Sequence, residues 1–205
     1  MNQVAEDWHN VPMSTHPSGG EPKIGLAELA TMKREGRPIV MVTAYDHPSA
    51  RLADEAGVDI VFTGDSAANN VLGYADTTPI SMDEMVMLAR AARRGTHRAF
   101  FMADLPLGAF QVSDEDAVRS AVRLVKEAGA EAVKIEGGGP MVSRARAIVA
   151  AGIPVMGHIG LTPQTATMLG GYKAQGRTAS KARQLYADAL ALQAAGCFSV
   201  VLEAV

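Results

Sequence analysis

Along this chain, stretches in which apolar residues recur at helical spacing end in a glycine, and a nearly continuous apolar run follows within a few residues. The unit appears at Glu35-Gly36 before PIVMVTA, at Ala56-Gly57 before VDIVFTG and at Arg94-Gly95 before RAFFMAD. It returns at Ala128-Gly129 before AEAVKIE, at Ala151-Gly152 before IPVMGH and at Ala195-Gly196 before CFSVVLE. A glycine just past a helix relieves the left-handed turn that closes it. Runs apolar throughout suit parallel strands covered on both faces. Helix starts are marked as well. Ser81-Met82-Asp83-Glu84 reads as a capping box ahead of MVMLARAARR. Ser113 precedes Asp114, Glu115 and Asp116, acids placed in a first turn where the helix dipole favours them.

Six strands alternating with helices predict a parallel α/β fold, either a (β/α)8 TIM-type barrel or an open doubly wound sheet. The polar residues separate the two. A barrel gathers its chemistry from the C-terminal ends of many strands. Here Asp65, Asp104, Glu136, His158 and Glu203 each sit at or just after a strand end. An open sheet concentrates its site at one switch point, usually behind a glycine-rich loop after the first strand. The first strand instead runs into TAYDHPS, which has no glycine. The expectation is therefore a barrel over residues 23–205 with about six βα units, truncated at its C-terminal side, behind a flexible arm over residues 1–22 that Trp8 could pin to the surface.

Composition narrows the function classes. The 205 residues are 48% hydrophobic and 20% charged, ordinary for a soluble domain with a sizeable core. A net charge of -3 and no basic stripe with interleaved aromatics argue against a nucleic-acid partner. No apolar run approaches a membrane span and no signal peptide is apparent, so the expected compartment is the cytoplasm. The single cysteine, Cys197, excludes an internal disulfide and a cysteine-rich zinc site, and is expected in the core.

The strand ends carry the candidate chemistry. Asp65 and Asp104 close similar runs, FTGD and FMAD. With Glu136 they form an oxygen-rich set suited to a hard divalent cation, Mg²⁺ above zinc. Lys134 and Glu136 lie two apart in a strand and share a face toward the barrel interior, while Val133 and Ile135 face the helices. Burying such a pair is costly unless it serves a ligand or metal. His158 ends the next strand in GHIGLTPQ, and the loop LTPQTATMLGGYKAQGR after it is a candidate lid. Glu203 is the candidate general base, its pKa expected to rise by burial. A cation, a lysine and a free carboxylate suit enolate chemistry on a 2-oxo acid. An aldolase working through a Schiff base at Lys134, a metal-dependent oxo-acid lyase with another substrate, and a non-catalytic barrel fragment remain open.

Several segments together resemble the ketopantoate hydroxymethyltransferase (3-methyl-2-oxobutanoate hydroxymethyltransferase) family of the phosphoenolpyruvate/pyruvate barrel superfamily. They are MVTAYDHPSARLADEAGVDIVFTGDS, ADLP, AVKIEGG, IPVMGHIGLTPQ, GGYKAQGR and DALALQAAGCFSVVLE. The resemblance implies transfer of a one-carbon unit from the co-substrate 5,10-methylenetetrahydrofolate to 3-methyl-2-oxobutanoate, giving 2-dehydropantoate on the pantothenate route. It implies Asp65 and Asp104 as Mg²⁺ ligands with Glu136 in the metal's shell. It implies Ser66, Lys134 and His158 as oxo-acid contacts, Glu203 as base, and a homo-oligomer. After Gly64-Asp65-Ser66 the family usually continues with leucine, glycine, methionine and apolar residues, whereas this chain has Ala67-Ala68-Asn69-Asn70. Asn69 or Asn70 is therefore expected near the substrate or its entrance.

Overall fold

A computed structural model describes residues 22–205; the expected arm, Trp8 included, lies outside the described residues except for its last position. Six parallel strands form one sheet in the order of the chain: β1 (Met41–Thr43), β2 (Ile60–Thr63), β3 (Phe100–Asp104), β4 (Ala132–Glu136), β5 (Val155–Gly160) and β6 (Ser199–Glu203). Sequential order leaves no switch point, as in a barrel wall and unlike a doubly wound sheet. The result is a curled partial TIM-type barrel, which agrees with the sequence expectation.

Seven helices accompany the strands among the described residues: α1 (Leu26–Arg34), α2 (His47–Glu55), α3 (Ala67–Asn70), α4 (Met82–Gly95), α5 (Asp114–Arg123), α6 (Met141–Ala150) and α7 (Ala179–Ala194). The helix starts follow the sequence signals. Ser81 and Glu84 close a reciprocal capping box on α4, and the Ser113 hydroxyl accepts from the Asp116 N–H at the start of α5. Of the six helix-ending glycines, five adopt left-handed φ between 68 and 98°. Gly95 does not. It is the last residue of α4, and a Cβ there would stand 2.3 Å from the His47 carbonyl oxygen and 2.8 Å from the Arg51 nitrogen. Its purpose is the close approach of α4 to α2.

Strand parity divides the core in two. One face, with Val61, Phe101, Val133, Ile135 and Val155, packs under the helices. The other carries Ile60, Phe62, Phe100, Met102, Ala132 and Met156 into the barrel interior, where Leu29 and Met32 of α1 plug the floor. Above that floor the same face turns polar, with Asp104, Lys134, Glu136 and His158 all buried. The two edge strands differ from the centre: β1 is exposed along its length and β6 is only partly covered. Each has a single hydrogen-bonded neighbour, so PIVMVTA yields a strand of three residues only. Among the described residues no helix is long and apolar enough to cross a membrane.

Candidate active site

The C-terminal ends of β2 to β5 bring the predicted residues together. Ladder register sets Asp104 beside Lys134 and Glu136 beside His158. Lys134 Nζ lies 2.8 Å from Asp104 Oδ1, 3.6 Å from Glu136 Oε1 and 3.2 Å from His158 Nδ1. Its ammonium also sits 5.4 Å above the Phe62 ring, whose π face favours a cation. Asp65 follows β2, and its backbone N–H donates to Asp104 Oδ2 at 3.0 Å. Gly64 allows this crowding: a Cβ there would meet Ser66 Oγ at 2.9 Å and Asp104 Oδ2 at 3.5 Å.

His158 stands between two carboxylates. Its Nδ1 is 3.1 Å from Glu136 Oε1 and its Nε2 is 3.1 Å from Glu203 Oε2. Glu203 ends β6, and its side chain is 43% exposed. That departs from the sequence expectation of a buried base: an edge strand with one neighbour leaves Glu203 only partly covered.

Charge is unbalanced inside the cluster. Burial drives the Asp104 carboxyl well above the ordinary carboxylate range, with Lys134 opposing and Asp65 and Glu136 adding to the rise. Asp65 is raised for the same reason, again with Lys134 opposing. Burial alone would lower Lys134, but Asp104, Glu136 and Asp65 outweigh it and raise the ammonium's pKa. Burial would likewise raise Glu136, yet the His158 hydrogen bond and the Lys134 charge bring it below its usual value.

These observations bear on a cation. Three buried carboxylates face one ammonium and one imidazole, an excess of negative charge that a divalent ion would offset. Asp104 Oδ1 meets the ammonium at ion-pair distance but has no aligned hydrogen bond. Among the described residues no three His, Cys, Asp or Glu groups converge as a complete cage. Two aspartates with water and ligand oxygens fit Mg²⁺, which usually takes one or two protein carboxylates. Glu136 is less free. Its Oε1 faces His158 and its Oε2 accepts from the Gln164 N–H at 3.0 Å.

Two residues escaped the sequence reading. Gln164 begins the expected lid, just after β5, and is buried. Its Nε2 donates to Asp65 Oδ2 at 2.8 Å and to the Leu105 carbonyl at 2.9 Å, while Gln111 Nε2 donates to its Oε1 at 3.0 Å. The loop is thus anchored near its start, whereas Met168 further along is 88% exposed. The other is Tyr45, after β1, whose hydroxyl lies 2.9 Å from Ser66 Oγ. The segment read as a loop after Ser66 is the one-turn helix α3. Ala67 and Ala68 pack against Ile80, Met85 and Leu88, which leaves Asn69 and Asn70 outward. Cys197 is buried, and burial pushes its thiol up to about 11, as expected for an inert core cysteine.

The chain is 52% identical over 183 residues to the 3-methyl-2-oxobutanoate hydroxymethyltransferase of Heliobacterium modesticaldum, covering 89% of this chain and 66% of that protein. It is 50% identical over 183 residues to the enzyme of the same name from Acetivibrio thermocellus, covering 89% of this chain and 65% of that protein. It therefore spans about two thirds of the length of these relatives. A crystal structure of a phosphonopyruvate hydrolase in complex with oxalate and Mg²⁺ shares the fold, with a TM-score of 0.66 at 15% identity over 87% of this chain and 62% of that one. The family model described as ketopantoate hydroxymethyltransferase matches residues 23–205, and the chain belongs to that family.

Proposed function

We propose that this chain carries the oxo-acid site of a hydroxymethyltransferase that moves a one-carbon unit from 5,10-methylenetetrahydrofolate to 3-methyl-2-oxobutanoate. The observation that carries the reading is the buried cluster of Asp65, Asp104, Lys134, Glu136 and His158 at the ends of four adjacent strands. Membership of the family supports it.

Asp65 and Asp104 would hold Mg²⁺, with Glu136 behind them in its shell. When bound, the ion supplies Lewis acidity to a chelated 2-oxo acid and so acidifies the carbon next to the carbonyl. Lys134 and the Ser66 hydroxyl take the substrate's carboxylate and keto oxygens, and His158 lies against the same group. Lys134 remains an ammonium in this role, since its carboxylate neighbours favour the charged form; a Schiff-base amine needs the opposite. Glu203 removes the C3 proton, oriented through its contact with His158 Nε2. Water adds to the methylene carbon of the folate and breaks its bonds to nitrogen, releasing tetrahydrofolate and a formaldehyde unit. C3 of the oxo acid attacks the carbonyl carbon of that unit, and its oxygen takes up a proton to become the hydroxyl of 2-dehydropantoate.

The proton-removal half needs no folate. In D2O the chain with Mg²⁺ is expected to exchange the C3 proton of 3-methyl-2-oxobutanoate, to lose that exchange in EDTA, and to lose at least a hundredfold in the Glu203→Gln variant. Product formation with methylenetetrahydrofolate completes the test. Exchange that survives EDTA, or retro-aldol cleavage of a different oxo acid with no one-carbon transfer, would reject the reading.

A further inference from the structure

The cluster's outer rim carries a hydrogen-bond chain that ends on Ser66 and whose other members, Tyr45 and Asn70, the chemistry above does not use. Asn70 Nδ2 donates to the Tyr45 hydroxyl oxygen at 3.0 Å. That hydroxyl lies 2.9 Å from Ser66 Oγ, a contact in which either oxygen can supply the proton. Ser66 makes no side-chain capping bond to α3, so its hydroxyl is not consumed locally. Its oxygen instead lies over Gly64, the position that also faces Asp104 Oδ2.

A hydroxyl has one proton to give and two lone pairs. An amide N–H can only donate, so Asn70 occupies a lone pair of the Tyr45 oxygen. Asn70 cannot accept the phenolic proton, which leaves Ser66 Oγ as its partner among the described hydrogen bonds, and the proton of Ser66 is released toward a ligand. Without Asn70 the Tyr45–Ser66 contact could run the other way, and Ser66 would spend its proton on tyrosine. This matters beside three carboxylates, where an anionic ligand oxygen needs every donor available.

We propose that Asn70 is a positioning residue that acts through Tyr45 to keep the Ser66 hydroxyl a donor to the carboxylate of the 2-oxo acid. The proposal rests on the oxo-acid reading of the site. It assigns the two exposed asparagines of α3 different parts: Asn70 holds the chain of donors, and Asn69 does not enter it.

The variant Asn70→Asp has the same shape but only accepts, and so reverses the chain. In the Mg²⁺-dependent C3 exchange assay it is expected to raise KM for 3-methyl-2-oxobutanoate about tenfold, with a much smaller change in kcat. Asn69→Asp adds the same charge one residue away and is expected to leave KM within twofold. In a Tyr45→Phe background, Asn70→Asp should have no further effect, because the two act as one unit. A second measurement does not depend on turnover: the Cζ resonance of ¹³C-labelled Tyr45 should move in Asn70→Asp and hold still in Asn69→Asp. An unmoved resonance, equal KM changes in the two Asp variants, or multiplicative effects with Tyr45→Phe would overturn the relay. A moved resonance in a chain that exchanges no oxo-acid proton would overturn the assigned ligand and the oxo-acid reading with it.

Discussion

Asp54 shows how one buried carboxylate can organise a junction far from the chemistry. It lies in α2, and its oxygens accept from the backbone N–H groups of His97 at 3.0 Å, Arg98 at 3.0 Å and Ala99 at 2.7 Å. Those residues lead into β3, the strand that ends in Asp104. Burial alone would raise the Asp54 carboxyl, but the three N–H donors outweigh it and lower the pKa. A lowered folded-state pKa means stability that is complete above the unfolded value of about 3.9 and lost as pH falls through the folded value. Asp54→Asn is therefore expected to cost about 2 kcal/mol at neutral pH. The deficit should shrink on acidification below about pH 4. Urea unfolding across that range checks it, and a deficit independent of pH would contradict it. In RLADEAG this aspartate looks like any acid on a helix surface, because its three donors come from a turn more than 40 positions away. Tyr45 and Gln164 were hidden for the same reason. Asp104, Lys134 and Glu136 were visible because strand parity and strand ends can be read locally.

At the scale of elements, the glycine-to-strand rhythm located all six strands, yet it attributed one glycine to the wrong cause. Gly95 needs no left-handed turn; it lets the end of α4 lie against the first turns of α2. An added methyl would press on backbone atoms of α2 that have nowhere to move. Gly95→Ala is thus expected to destabilise by about 1–3 kcal/mol through overpacking, although alanine favours helices elsewhere. Thermal unfolding measures this, and an unchanged or raised midpoint would show that α2 and α4 can separate at little cost. The short helix α3 follows from similar packing. Two alanines are small enough to sit under Ile80 and Leu88, so the turn closes and carries Asn70 to Tyr45.

For the whole molecule, the open edges of the sheet are the main feature that the site does not explain. Ile39, Val40, Met41 and Val42 are 39–50% exposed along and beside β1, and Leu202 is 61% exposed on β6. Unpaired strand edges with apolar side chains are templates for pairing with another chain. The 205-residue chain is expected to self-associate, and Val40→Lys to reduce that association in sedimentation experiments. Amide hydrogen exchange should be fast in β1 and β6 and slow from β2 to β5, where each strand has two neighbours. Equal protection across all six strands would mean that both edges are covered in solution.

By itself the sequence determined the alternation of helix and parallel strand, the face to which each strand residue points, and the set of acids, lysine and histidine gathered at the strand ends. These are local consequences of backbone geometry and apolar periodicity, legible within a dozen residues. Only the tertiary structure decided that Gln164 bridges Asp65 and Glu136, that Glu203 lies half-exposed beside His158, and that Asn70 reaches Ser66 through Tyr45. Each of these joins side chains whose distance is set by how strands and loops stack in space, and residue spacing along the chain carries no record of that distance.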